Sequence, residues 1–183
     1  SNGTNDIYVS KLDSSENFRW AKSFGGTDMD VGSKVYHGQS DPENIYFIGY
    51  YHGTIDFNSG PDTFNLSAAF QAGYGDGFIC KFDTAGDFIW AKSIGGARDD
   101  FANSIALDAS RNLYLTGYFN SSAVPFGSTI LLNAGSSWSS TSDIFISKLD
   151  TSLLATGLDS ASLSKDFTIS PNPVSSTFSI SIN

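Results

Sequence analysis

The residues with the clearest potential for chemistry are two pairs of carboxylates, each of which follows a Gly-Gly pair. Asp28 and Asp30 follow the first glycine pair, and Asp99 and Asp100 follow the second. Paired carboxylates can act as general acid and base, and carboxylate oxygens are also ligands that calcium prefers. The recurring members, Asp30 and Asp100, are equally suited to accepting backbone hydrogen bonds within a turn. We expect the turn role and keep calcium as the alternative.

A second candidate for calcium binding is the segment from Asp56 to Asp62. Asp56, Asn58 and Asp62 place oxygen ligands at alternate positions, as calcium-binding loops often do. The segment lacks a bidentate glutamate at the distance that such loops need. It also contains Gly60-Pro61, a pair that favours a simple turn. We therefore expect a turn here, and we expect no cofactor.

Nucleophilic catalysis would need a base, and histidine is the usual one. The chain has two histidines, His37 and His52, and both align with other residue types in the second copy of the repeat described below. The single cysteine, Cys80, lies in a predicted strand, where we expect an inert buried thiol. These residues do not suggest a catalytic set, so the sequence predicts a protein that is not an enzyme.

The charge and the hydropathy of the chain limit its partners. The formal net charge is −9 at pH 7, and an acidic chain cannot release counterions from a phosphate backbone, so we expect no nucleic-acid partner. No apolar run reaches the roughly 18 residues of a membrane span, so no transmembrane segment is predicted. The chain opens with Ser1, and its single methionine is Met29, so we expect a fragment that lacks its original start and signal peptide.

The elements that would position these residues are set by an internal repeat. Residues 6–26 read DIYVSKLDSSENFRWAKSFGG, and residues 76–96 read DGFICKFDTAGDFIWAKSIGG. A third copy starts at Asp143 with DIFISKLD, so the spacing is 70 and then 67 residues. The match continues where NIYFIGYY from Asn44 corresponds to NLYLTGYF from Asn112. Repetition at a nearly fixed period predicts a repeat architecture.

Each copy is predicted to form antiparallel β-structure. Its first segment is rich in β-branched and aromatic side chains and is followed by a polar turn. Trp20 and Trp90 recur in the next strand, where we expect them to pack between units. The Gly25-Gly26 and Gly95-Gly96 pairs end that strand, and we expect them to permit backbone angles that other residues avoid. Two hairpins per copy give a four-stranded unit, the size of a propeller blade.

The copies resemble the SBBP type of β-propeller repeat protein. The resemblance rests on the D-x-F-[IV]-x-K-[LF]-D start, the W-A-K-S-x-G-G centre and the N-[IL]-Y-x-x-G-Y strand. It implies a β-propeller, and a β-sandwich is the alternative all-β fold. Because a propeller needs about 4–8 blades, residues 1–150 would supply a partial blade, a full blade and a second partial blade of an incomplete ring.

The C-terminal segment differs from the repeats. Residues 151–166 are rich in serine, leucine, alanine and threonine, which predicts a linker. Residues 167–183 alternate apolar and polar side chains on both sides of a proline-rich corner, which predicts the start of a β-hairpin. This segment resembles the beginning of the C-terminal sorting domain of the type IX secretion system. The residues that carry the resemblance are Ile169, Ser170, Pro171, Asn172 and Pro173.

The two resemblances together imply an all-β protein made of propeller repeats and a truncated, Ig-like β-sandwich sorting domain at residues 167–183. The expected function is a non-catalytic scaffold or adhesion module, either secreted or attached to the outer-membrane surface. Its expected partners are the type IX secretion machinery and a protein or glycan ligand. Two alternatives remain open: the propeller part of a larger secreted hydrolase, and a calcium-dependent carbohydrate-binding module.

Overall fold

The computed structural model describes residues 3–70, 73–126, 129–134 and 141–150. Within these ranges the chain contains strands and turns, which confirms the all-β class, and it contains no helix able to span a membrane. The proposed linker and the sorting motif from Ile169 to Pro173 lie outside the described residues. The described strands are β1 (Ile7–Leu12), β2 (Phe18–Phe24), β3 (Asp30–Tyr36), β4 (Asn44–His52), β5 (Thr54–Asp56), β6 (Asn65–Ser67), β7 (Gly75–Asp83), β8 (Phe88–Ile94), β9 (Asp100–Leu107), β10 (Asn112–Phe119), β11 (Ala123–Phe126), β12 (Thr129–Leu132) and β13 (Asp143–Asp150).

The main strands of the described residues form three sheets that stack on one another. The first hairpin consists of β1 and β2. The central sheet has the antiparallel order β3-β4-β7-β8, and the last sheet has the order β9-β10-β13. Two short ribbons, β5–β6 and β11–β12, lie along the connections from β4 to β7 and from β10 to β13. The three sheets do not close a ring.

The sheets are offset from the sequence copies by half a copy. The central sheet takes β3 and β4 from the first copy and β7 and β8 from the second. The β5–β6 ribbon brings the chain back so that β4 and β7 pair along their whole length, from Asn44 opposite Asp83 to His52 opposite Gly75. The predicted four-stranded antiparallel unit therefore exists, but two copies contribute to it instead of one.

One face of the central sheet packs on the first hairpin. Phe47, Phe78 and Phe82 lie on this face and are almost completely buried. The Phe24 ring of β2 contacts them, with its centroid 5.4 Å from that of Phe47 and 5.2 Å from that of Phe82. Cys80 shares this face, and burial raises the pKa of its thiol. The expected buried cysteine is therefore confirmed.

The opposite face of the central sheet packs on the last sheet. Tyr46, Ile48 and Ile79 point to this side, because successive side chains of a strand alternate between its two faces, and all three are fully buried. Leu115 and Phe145 of the last sheet belong to the same apolar cluster. We call the face of each sheet that points toward the preceding sheet its front face and the opposite one its back face. The continuous apolar run of β4 thus reflects burial on both faces.

Gly49 and Gly117 lie where neighbouring backbones approach most closely. They occupy equivalent places in β4 and β10, beside register shifts in the pairing with β3 and β9. A Cβ at Gly49 would overlap the carbonyl oxygen of Val31, and a Cβ at Gly117 would overlap that of Phe101. Only glycine therefore fits at these two positions without moving a paired strand.

We expect Gly49→Ala to lower the free energy of unfolding by about 2 kcal/mol, because the added methyl group must displace backbone. Gly32→Ala is the matched control, since Gly32 pairs with Gly49 and its Cβ would meet only a methyl group of Ile7. Chemical denaturation of both variants measures the difference. Equal losses in the two variants would show that the close approach at Gly49 is not the constraint.

Candidate functional site

The carboxylate of Asp100, at the start of β9, is fully buried and joins two separate segments. It accepts hydrogen bonds from the amide of Gly96 at 2.7 Å and from the amide of Asn120 at 3.0 Å. Ser121 donates twice, from its amide at 3.1 Å and from its hydroxyl at 2.6 Å. Burial raises the pKa of Asp100, and these hydrogen bonds oppose the rise. The turn after β8 is thereby held to the end of β10.

Asp30 occupies the equivalent place at the start of β3, with a weaker set of donors. Its described hydrogen bonds come from the amide of Gly26 at 2.7 Å and from the amide of His52 at 3.4 Å. Gly53 stands where the second copy has Ser121, so no side-chain hydroxyl can donate here. Burial again raises the pKa of the carboxyl. Both recurring aspartates thus accept backbone hydrogen bonds, as the sequence suggested.

The aspartate that begins the second and the third copy has a structural role that the sequence analysis missed. Asp76 is buried and accepts a hydrogen bond of 2.8 Å from the amide of Ala69, beyond the β5–β6 ribbon. Asp143 accepts the equivalent bond of 2.6 Å from the amide of Ala134. Burial raises the pKa of Asp76 to about 6, and the nearby Asp100 carboxylate adds to the rise. Recurrence of the aspartate was the signal for this role.

The glycine pairs are explained by close contact and not by unusual backbone angles. Neither Gly25-Gly26 nor Gly95-Gly96 has a positive φ, so the expectation stated above was wrong. A Cβ on the first glycine of each pair would overlap the side chain of Asp6 or Asp76. A Cβ on the second would overlap the carbonyl oxygen of the first residue of the next ribbon, Thr54 or Ala123. The pairs therefore allow the leading aspartates and the ribbons to approach.

Three hairpin turns share one design, and the sequence analysis recognised the first two of them only as polar turns. Asp13, Asp83 and Asp108 each accept two amide hydrogen bonds on one side-chain oxygen, at 2.8–2.9 Å. These bonds contribute to holding the pKa of Asp13 and of Asp108 below the ordinary value. The residue three positions later adopts the left-handed backbone that three-residue hairpin loops need. The left-handed residues are Glu16, Gly86 and Arg111.

A buried charge cluster at the opposite end of the strands was also missed. Asp41, between β3 and β4, is only 1% exposed and accepts a hydrogen bond of 2.7 Å from the Tyr46 hydroxyl. Lys81 and Arg111 each place a nitrogen 3.7 Å from one of its carboxylate oxygens. Burial acts to raise the pKa of Asp41, but the hydrogen bonds from Tyr46 and Asn44 and the nearby charges of Lys81 and Arg111 together outweigh it, and the pKa is lowered. Arg111 lies in the turn between β9 and β10 of the last sheet, so the cluster links two sheets.

The two recurring tryptophans contact neighbouring sheets. Trp20 donates from Nε1 to the carbonyl oxygen of Thr84 at 3.1 Å, which ties the first hairpin to a turn of the central sheet. Lys11 donates to the same oxygen at 2.8 Å. Trp90 is buried in the apolar cluster between the central and last sheets, with its ring centroid 6.2 Å from that of Tyr46. Each tryptophan thus packs between units.

A pocket of about 270 Å³ opens at the end of the strands where Asp30 lies. His52 donates from Nδ1 to the carbonyl oxygen of Met29 at 2.8 Å, and its Nε2 lies 3.9 Å from a carboxylate oxygen of Asp99. The second distance is too long for a hydrogen bond, so Nε2 keeps its capacity for a further partner. The pocket therefore offers the His52 imidazole, the Asp28 carboxylate and the Thr4 hydroxyl to a small polar group. Its lining residues are Thr4, Asp28, Met29, His52, Gly53 and Gly73.

The structure does not gather the seven candidate calcium ligands into one site. Asp56 accepts hydrogen bonds from the amides of Asn58 at 2.9 Å and Phe64 at 2.8 Å, which closes the loop as a turn. Asn58 in turn accepts one of 3.0 Å from Gly60, and Asp62 is exposed. Within the described ranges, no three histidine, cysteine, aspartate or glutamate side chains are grouped as metal ligands. Calcium binding stays the alternative that the sequence left open.

Comparison with known proteins supports the repeat. The SBBP β-propeller repeat family matches residues 89–122, which include all of β9 and β10. An uncharacterized WD repeat-containing protein of Acanthamoeba polyphaga mimivirus is 32% identical over 119 residues. The match covers 57% of this chain, and the chain spans only 8% of the viral protein. These similarities support a β-propeller repeat scaffold, and neither of them is to a secretion sorting domain.

We expect Asp100→Ala to lower the free energy of unfolding by about 3 kcal/mol, because the backbone donors around it would lose their buried acceptor. Asp30→Ala should cost about half as much, since one of its two described bonds is long. Urea denaturation of both variants measures the two losses. An equal or larger loss in Asp30→Ala would contradict the ranking by hydrogen bonds.

The raised pKa of Asp76 predicts that the protein is more stable at pH 5 than at pH 7. Its folded-state pKa of about 6 lies above the ordinary aspartate value of 3.8, so folding favours the protonated carboxyl. This contribution to stability is fully present below the unfolded pKa and is lost as the pH rises through the folded pKa. Urea denaturation across this range should therefore show a free energy of unfolding that falls as the pH rises.

Asp76→Asn should flatten this pH dependence, because a carboxamide does not ionise and can still accept the hydrogen bond from Ala69. Asp62→Asn, at an exposed position, is the matched control and should keep the slope of the wild type. An unchanged slope in Asp76→Asn would assign the pH dependence to other groups, of which Asp30 and Asp100 are the first to test.

Proposed function

We propose that this chain is a non-catalytic scaffold or adhesion module of a secreted or surface-attached protein. The observation that supports the proposal is that the recurring carboxylates serve as hydrogen-bond acceptors for the backbone. Asp30, Asp76 and Asp100 are buried, and each accepts hydrogen bonds from backbone amides. Buried carboxylates that satisfy backbone donors hold strand ends in place, which is a structural use of groups that could otherwise serve as acid and base.

The proposed recognition surface is the strand end that contains the pocket. Framework residues recur there between the copies, but the residues around the pocket do not. Segments at strand ends that vary on a fixed framework are where scaffolds commonly carry their binding sites. A protein or glycan ligand would bind here, and the net charge of −9 disfavours nucleic acid. The differing pairs are Asp28 and Arg98, His52 and Asn120, and Gly53 and Ser121.

The proposed route of export is the type IX secretion system. The support is the resemblance of the segment from Ile169 to Pro173 to a sorting domain, and its position after the repeats. Residues 151–166 would then act as the tether between propeller and signal, and cleavage, if the signal is removed, would fall there. The location that follows from this route is the outer-membrane surface or the medium, and the secretion machinery is the partner.

The test fuses the chain from residue 151 to the natural end of the protein onto a periplasmic reporter, in a host that has the export system. The reporter should reach the surface or the medium. The matched control carries residues 151–166 alone and should remain in the periplasm, because it lacks the motif. Export that is equally efficient in both fusions would refute the sorting assignment and would leave the scaffold role to be tested by ligand screening at the pocket.

A further inference from the structure

The pocket lies where the two copies of the repeat differ in charge. Aligned by the repeat, Thr4 corresponds to Tyr74 and Asp28 corresponds to Arg98. In the second copy the Arg98 guanidinium lies over the Tyr74 ring, 5.9 Å from its centroid. The second copy thus carries a cation and an aromatic ring of its own at the positions where the first copy has a carboxylate and a hydroxyl that line the pocket.

Gly53 provides the space into which the Asp28 carboxylate fits. In the second copy Ser121 holds this position, where it is fully buried and accepts a hydrogen bond of 2.8 Å on its hydroxyl from the amide of Arg98. A Cβ at Gly53 would overlap a carboxylate oxygen of Asp28. The substitutions at the two positions therefore belong together, and they place a carboxylate at the pocket where the second copy has a packed serine.

The Asp28 carboxylate has little to satisfy it within the described part of the chain. It accepts one hydrogen bond there, from the Thr27 hydroxyl at 3.4 Å, which is longer than an effective hydrogen bond between oxygens. None of the described ion pairs includes Asp28. The side chain is exposed, so a ligand that donates hydrogen bonds can reach it and replace water.

His52 presents a second acceptor to the same pocket. Because its Nδ1 donates to the carbonyl oxygen of Met29 at 2.8 Å, the neutral ring carries its proton on Nδ1 and a lone pair on Nε2. That Nε2 atom lies 3.9 Å from a carboxylate oxygen of Asp99. Two acceptors that face each other without a proton between them favour a donor group that reaches both.

This arrangement of acceptors selects a ligand that only donates. Arginine and lysine side chains carry several N–H donors and no acceptor, whereas each hydroxyl of a sugar brings an acceptor that these groups do not match. The net charge of −9 attracts cations, and Met29 in the pocket wall can contact the aliphatic stem of such a side chain.

The size of the pocket agrees with a single side chain. Its volume of about 270 Å³ is just below the roughly 300 Å³ at which pockets for drug-sized ligands begin. We infer that the pocket binds the guanidinium or ammonium group of an arginine or lysine side chain that a protein partner presents. The inference rests on the recognition role proposed above, and it selects a protein ligand over a glycan.

Titration of the full chain with short blocked peptides, followed by two-dimensional ¹H–¹⁵N NMR, tests the inference. The probes are Gly-Arg-Gly and Gly-Lys-Gly, each acetylated and amidated, and the neutral peptide Gly-Gln-Gly is the control. The two basic peptides should shift the amides of Gly53 and Gly73, and the neutral one should not. Added salt should weaken binding, because the contact is between charges at an exposed site. Free arginine should bind more weakly, since its own carboxylate meets two aspartates.

Asp28→Asn should weaken binding of the basic peptides by about tenfold or more, because it removes the charged acceptor. Asp62→Asn is the matched control, since Asp62 is an exposed aspartate that does not line the pocket, and it should bind like the wild type. The NMR spectra of both variants show whether they remain folded.

Any of four results would overturn the inference: no shifts at the pocket, equal binding by Asp28→Asn, equal binding of the neutral peptide, or binding of free arginine as tight as that of the peptides. Shifts of the same amides by N-acetylglucosamine, without shifts by the basic peptides, would assign the pocket to a glycan instead. The export test of the proposed function uses the chain from residue 151 onward, so its outcome and that of the titration are independent.

Discussion

Burial of the central sheet on both faces is the constraint on which the rest of the structure depends. β4 carries apolar or aromatic side chains at successive positions from Ile45 to Ile48, so neither face can be left in water without losing a large part of the driving force for folding. The first hairpin covers one face and the last sheet covers the other. The sheets therefore stack, and because the sequence repeats, the outer sheets also carry apolar faces.

Buried carboxylates at the two ends of the strands have opposite pKa shifts. At one end Asp30, Asp76 and Asp100 are held by amides and hydroxyls, and burial raises their pKa values. At the other end Asp41 receives hydrogen bonds from neutral side chains and lies near Lys81 and Arg111, so its pKa is lowered. Neutral donors alone do not offset the cost of burying a carboxylate, whereas the second cluster does. The first end is therefore the one at which protonation of Asp76, with a pKa of about 6, affects stability.

Local features of the sequence predicted the strands and the turns, because alternating apolar positions and recurring turn residues act over a few residues. The composition of each sheet could not be predicted in this way, because the pairing of β4 with β7 depends on where the β5–β6 ribbon returns the chain. The role of Asp76 was hidden for a similar reason, since its donor at Ala69 becomes its neighbour only after the ribbon has formed. Gly25 was assigned a backbone role because the contact with Asp6 is not visible in sequence.

The difference between the two copies at one position connects stability with the pocket. In the second copy the Ser121 side chain is fully buried against Gly96, and its hydroxyl donates to Asp100. In the first copy Gly53 takes this place, with a φ of +62° that disfavours any other residue, and lines the pocket instead. The first copy thus gives up a hydrogen bond to its buried carboxylate and gains open space. A local loss of stability of this kind, within a framework that is otherwise repeated, is typical of a site kept for binding.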